Sequence, residues 1–150
     1  MKRIIGLILV AAVAGAVAVA SQAGTSKSLS RSRGLHVTKE CTSTYHGMPG
    51  EYCTIDSSNL GAIPSGAKVF YFEAATANGL DSDLALYAGP GNVALGHVTL
   101  SFATATGVIT FRGGTGDFRG FRARADVTYE PPPVDRWHWD GTYRFRGHGH

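Results

Sequence analysis

The most constraining feature of this 150-residue chain is a two-residue alternation of apolar and polar side chains that recurs from Glu40 to the end. Across Phe121–Tyr129, one side holds Phe121, Ala123, Ala125, Val127 and Tyr129; the other holds Arg122, Arg124, Asp126 and Thr128. Successive side chains of a strand point to opposite faces, so this segment predicts a strand with one buried and one wet face. His97–Phe102 repeats the theme, with Val98, Leu100 and Phe102 set against His97, Thr99 and Ser101. Tyr143 and Phe145 alternate with Thr142, Arg144 and Arg146. Further strands are expected at Glu51–Asp56, Ala67–Ala74, Asp83–Ala88 and Gly107–Arg112. No stretch spaces apolar residues at about 3.6 over three turns, which argues against a helical core.

Turn chemistry separates these runs. Gly89-Pro90-Gly91-Asn92, the segment 103–107, Gly113-Gly114-Thr115-Gly116 and Asp140-Gly141 are turn signals. Pro131-Pro132-Pro133 cannot join a central strand and marks a longer connector. Seven or eight short strands over about 110 residues predict an all-β barrel or, alternatively, a β-sandwich. In a domain this small, closure into a barrel removes the exposed strand edges.

The segment Val108–Tyr129 reads VITFRGGTGDFRGFRARADVTY. Its centre, Gly113 to Gly120, resembles the hairpin of the allene oxide cyclase-like and dirigent-like barrels: a strand, a GGTG.F.G turn, then a strand of small residues. Gly113, Gly114 and Gly116 permit positive φ in a tight connection, Phe118 can plug the barrel rim, and Gly120 allows a bend into the wall. The likeness extends loosely over Val93–Phe145, some 53 residues, and is greatest to small exported bacterial members of that superfamily. It implies an eight-stranded antiparallel up-and-down barrel, calycin-like, with an apolar interior. A barrel of that size is filled by side chains or holds one small ligand. The motif implies a fold and brings no catalytic residue with it.

Lys2 and Arg3, the uncharged 17-residue run Ile4–Ala20 and the small residues after it read as a secretory signal peptide over residues 1–23. Cleavage is expected after Ala20 or after Ala23. The run is at the lower limit for a bilayer span, and no second stretch of spanning length follows. A secreted, extracellular product without a membrane span is the expectation. Export permits disulfides. Cys41 and Cys53 flank a loop containing Gly47, Pro49 and Gly50. A bridge there closes about a dozen residues and contributes about 3 kcal/mol in the chain-entropy account. A metal pair would need more ligands than the nearby His46, so a disulfide is expected, with no metal and no cofactor.

Residues 24–39 are Ser-rich, with Lys27, Arg31, Arg33 and Lys39 and no acid. They read as a flexible basic tail able to make weak contact with the cell envelope. Residues 40–150, the expected barrel domain, hold 8 Lys and Arg against 11 Asp and Glu, a net charge of −3. The +3 of the whole chain therefore belongs to segments outside the expected domain. Arg122, Arg124, Arg144 and Arg146 form polar-face rows, and Asp117, Asp126, Asp135 and Asp140 are near enough in sequence to pair with them. No nucleic-acid partner is expected.

Catalytic signatures are sparse. Asp81 and Asp83 share one face and suit a polar strand entry, an acid/base pair or a cation. His148 and His150 end the chain. No nucleophile elbow of the G-x-S-x-G type occurs. Trp137 and Trp139 share a face, either sealing a barrel end or forming a stacking platform. Catalytic residues stay unassigned. The expected function is a binding module for a small apolar or aromatic ligand, contacted by Phe102, Phe111, Phe121, Tyr129, Tyr143 and Phe145, with Val127 also inward. A surface structural or interaction protein is the alternative. The second alternative is a cyclase- or isomerase-type enzyme, which requires an ionisable group inside the barrel.

Overall fold

The computed structural model describes residues 31–147. The leader with both cleavage sites, residues 24–30 and His148 and His150 lie outside the described residues. Eight strands follow in order: β1 Arg33–Glu40, β2 Tyr52–Ser58, β3 Lys68–Tyr71, β4 Gly79–Tyr87, β5 Val93–Ser101, β6 Thr106–Gly114, β7 Phe121–Glu130 and β8 Arg136–Phe145. Each pairs antiparallel with the next, and β8 pairs with β1 to close the barrel. The fold is thus the up-and-down barrel rather than the sandwich.

Alternation does most of the building. Leu35 and Val37 of β1, Cys53 and Ile55 of β2, Leu84 and Leu86 of β4, Ile109 and Phe111 of β6, and Ala125 and Val127 of β7 are all buried. They form one core inside the closed sheet. Burying such side chains contributes about 1.5–3 kcal/mol each, which is how the barrel is held together.

Two expectations change. The proposed tail of residues 24–39 overlaps β1, because residues 33–39 form strand and complete the barrel. Leu35 and Val37 alternate with Gly34, His36 and Thr38, but two apolar residues amid cations are a weak signal until β8 and β2 pair on either side. The Asp140-Gly141 turn is not a turn: both residues lie inside β8. Gly141 is needed there for close approach, since a Cβ would run into the Arg124 carbonyl and Ala125 on β7.

The Gly-rich hairpin closes one end. Gly113, Gly116 and Gly120 have positive φ (136°, 55° and 71°), whereas Gly114 does not. Gly114 instead leaves room for the Val93 carbonyl and the Phe118 side chain. A single 3-10 turn, Gly116–Phe118, swings Phe118 into the barrel, where it is fully buried. The loop is tied to the β4–β5 turn. The Thr115 hydroxyl donates to the Gly91 carbonyl at 2.7 Å, and the Asp117 amide donates to the Asn92 side-chain oxygen at 3.1 Å.

Candidate functional site

In an up-and-down barrel the odd strands end where the even strands begin. At that end, opposite the Phe118 plug, lies a cavity of about 600 Å³. Ligand pockets commonly span about 300–1,000 Å³. Its walls are Tyr71 of β3, Leu80 of β4, Val98 and Leu100 of β5, Ile109 of β6, Val127 of β7 and Trp139 of β8. Its mouth is formed by the loop after β1 (Thr42, Tyr45–Met48), by Ala74–Thr76, and by Phe102 and Asp135.

Lys39 also lines this cavity. It continues the inward series Leu35, Val37, Lys39 and is only 5% exposed. Next to it the β1–β2 register slips, with Thr38 facing Ser57 and Lys39 facing Ile55, so Asp56 is the extra residue. The Lys39 Nζ donates to the Tyr71 hydroxyl at 2.6 Å. Its other close neighbours are Cys41 Sγ at 3.4 Å and Cys53 Sγ at 3.6 Å, which are weak acceptors. Those two sulfurs form the disulfide that joins the end of β1 to β2. The rings of Tyr71, Trp137 and Trp139 lie at 5.2, 5.7 and 5.7 Å from Nζ. Among the described residues no carboxylate makes an ion pair with Lys39. Burial without a counter-charge lowers its pKa to about 7. Burial, and then the neighbouring Tyr45, push the Tyr71 phenol well above its ordinary range, so it stays protonated.

Two further polar groups belong to cavity-lining residues. The Tyr45 hydroxyl and the Trp139 indole N–H are buried and have no hydrogen-bond partner among the described residues. Tyr45 packs against Tyr71 with ring centroids 4.8 Å apart and the rings tilted by 52°. At the mouth, Asp135 accepts from the Tyr129 hydroxyl at 2.7 Å and from Thr42 at 2.8 Å. Those two hydrogen bonds hold its carboxyl below the usual range, and the same bond raises the Tyr129 phenol. Tyr129 also packs on Trp137 at 4.9 Å.

Of the six residues expected to contact ligand, Phe102 and Tyr129 line the cavity. Phe102 lies just past the end of β5 and is 39% exposed at the mouth. The other four do not line it. Phe111, Phe121, Tyr143 and Phe145 pack toward the closed end, with Phe121 at 5.5 Å from Phe111, 5.4 Å from Phe118, 5.3 Å from Phe145 and 6.3 Å from Tyr143. Alternation correctly turns them inward but says nothing about which end of the barrel they occupy. Trp139 is packed at 1% exposure, and both Trp137 and Trp139 line the cavity. Lys39, Tyr71 and Tyr45 were missed. The signal for Lys39 was its place two residues after Val37.

The outer wall holds the remaining candidates. Asp81 and Asp83 clasp His97, at 2.8 Å to Nε2 and 2.9 Å to Nδ1. His36 meets Asp140 at 2.7 Å and His138 meets Glu130 at 3.1 Å. The expected pairing of the Arg rows with acids is not formed: Arg122 faces Arg144 and Arg124 faces Thr142, while Asp126 faces Asp140. Among the described residues the one arginine ion pair joins Arg136 to Asp56. Compared with protein-family models, with curated proteins and with solved structures, the chain matches none.

Proposed function

We propose that this protein is an exported barrel that binds one small apolar or aromatic molecule carrying an acceptor oxygen. The observation that supports this most is the cavity, where an apolar wall holds a short set of polar groups: the Lys39 amine, the Tyr71 and Tyr45 hydroxyls and the Trp139 N–H. Apolar walls supply affinity through area, while a few placed donors fix orientation. An oxygen on the ligand would satisfy donors that otherwise stay unpaired at about 1–3 kcal/mol each. The GGTG.F.G hairpin and its buried Phe118 support membership of the allene oxide cyclase-like barrels, and the apolar leader supports export.

The enzyme reading gains from one specific observation. It requires an ionisable group inside the barrel, and Lys39 is one. The binding reading is tested by isothermal titration of the mature protein with cinnamyl alcohol and its saturated analogue. Saturable one-to-one binding that weakens in Tyr71→Phe and Trp139→Phe is expected. Absence of any saturable heat or fluorescence change would overturn it.

A further inference from the structure

The lysine in the cavity wall poses a chemical problem. A buried ammonium is normally paired, because removing it from water costs several kcal/mol. Lys39 has instead a phenol oxygen, two disulfide sulfurs and three ring faces around it. The ring faces favour the cation, but removal from water with no counter-charge favours the neutral amine and lowers its pKa to about 7. A neutral amine facing an open cavity is a nucleophile, and desolvation of this kind is how Schiff-base lysines are activated.

Tyr71 completes the pair. Its hydroxyl lies 2.6 Å from Nζ, accepting from the ammonium and donating its hydrogen to the neutral amine. It lies beside the amine, is protonated, and is only 2% exposed.

We infer that Lys39 captures a small aromatic or apolar aldehyde as an imine, with Tyr71 as the proton donor for the carbonyl oxygen. The Nζ lone pair attacks the carbonyl carbon and the C=O π bond opens. The Tyr71 proton passes to the oxygen, and the nitrogen proton returns to the Tyr71 oxygen, leaving a carbinolamine. The C–O bond then breaks as water departs with a second proton from Tyr71, and C=N forms. Loss of the remaining nitrogen proton to Tyr71 leaves the neutral imine. Every step is reversed by water, so no oxidant or reductant takes part. The disulfide and the Trp137 and Trp139 rings flank the bound carbon framework.

This inference rests on the ligand-binding reading and names the class of ligand. The chain supplies its own reference residue. Its four lysines are Lys2, Lys27, Lys39 and Lys68, and Lys68 lies on β3 over the Tyr52 ring at 4.5 Å, away from the cavity. The experiment treats the mature protein with cinnamaldehyde and sodium cyanoborohydride at pH 7, then maps the reduced adducts by peptide mass spectrometry. Non-covalent binding of cinnamyl alcohol is measured in parallel.

The expected result is an adduct on Lys39 forming at least about tenfold faster than on Lys68, because the cavity holds the aldehyde beside a desolvated amine. Cinnamyl alcohol should suppress it, and Tyr71→Phe should slow trapping while Lys39 stays the preferred site. Lys39→Met should leave only slow labelling elsewhere. If cinnamyl alcohol binds but Lys39 is labelled no faster than Lys68, the imine inference is overturned and the binding reading stands. If the alcohol does not bind and Lys39 is not labelled, both fall. Mapping on the unmodified chain decides this even if a variant folds poorly.

Discussion

The Lys39 amine of β1 donates to the Tyr71 hydroxyl of β3 at 2.6 Å, joining two strands that do not pair with each other. The contact lies at the open end of the barrel, in the cavity lining and beside the Cys41–Cys53 bond. Most of what can be tested about this protein follows from it.

The first prediction concerns pH. Lys39 titrates near 7 in the folded protein, against about 10.4 in an unfolded chain. Between those values the unfolded chain holds the extra proton, so stability rises with pH by at most about 1.4 kcal/mol per unit. Below 7 both states are protonated and the slope from this group vanishes. Tyr71 acts in the opposite sense: its raised pKa removes stability once pH exceeds the free phenol value of about 10. Urea midpoints of the wild type should therefore climb from pH 7 to pH 9, and the climb should be absent in Lys39→Met. Parallel profiles for the two proteins would contradict the burial of an unpaired amine.

A double-mutant cycle reports the pair itself. Tyr71→Phe leaves Lys39 with only sulfur and ring neighbours and should destabilise by about 1–3 kcal/mol. Lys39→Met with Tyr71→Phe should recover part of that loss, because no buried donor is then left without an acceptor. Simple additivity in urea unfolding would show that the two groups do not interact.

Phe118 lies at the far end, so its removal separates stability from binding. Phe118→Ala should cost about 3–5 kcal/mol through the cavity it leaves. Ligand affinity, measured by titration well below the melting temperature, should change little. An equal loss of both would place the plug and the cavity in one cooperative unit.

The disulfide should matter to stability first. Cys41→Ala with Cys53→Ala should lower unfolding free energy by about 3 kcal/mol, from the loop of a dozen residues that it closes. Chemical denaturation with and without reductant checks this, and the reduced wild type should match the double variant.

The walls of the barrel were legible because a strand with one buried face alternates along its length, as Phe121–Tyr129 does. The hairpin that places Phe118 was legible from its glycines, three of which take positive φ. Strand β1 was not. Its inward residues are Leu35, Val37 and Lys39, and the third is charged, so it read as part of a solvated tail. Missing that strand also hid Lys39 as a lining residue of the cavity. With Arg33–Glu40 as the first strand, the open end lies at the C-termini of odd strands and the N-termini of even ones. Tyr71, Tyr129 and Trp137 then belong to the open end, while Phe111, Phe121 and Phe145 belong to the closed end. The Lys39–Tyr71 contact depends on closure of the whole barrel, a long-range property that local periodicity does not report.

The central claim is a hollow, ligand-accepting open end, and the protein carries its own reporter, since its two tryptophans, Trp137 and Trp139, both line the cavity. The most direct measurement is tryptophan emission of the protein during titration with the uncharged probe N-phenyl-1-naphthylamine. A saturable one-to-one fall in tryptophan emission, with a matching rise in probe emission, is predicted. Both should be lost in Val98→Phe, which fills the space. A probe signal that never saturates, or one unchanged by Val98→Phe, would contradict it.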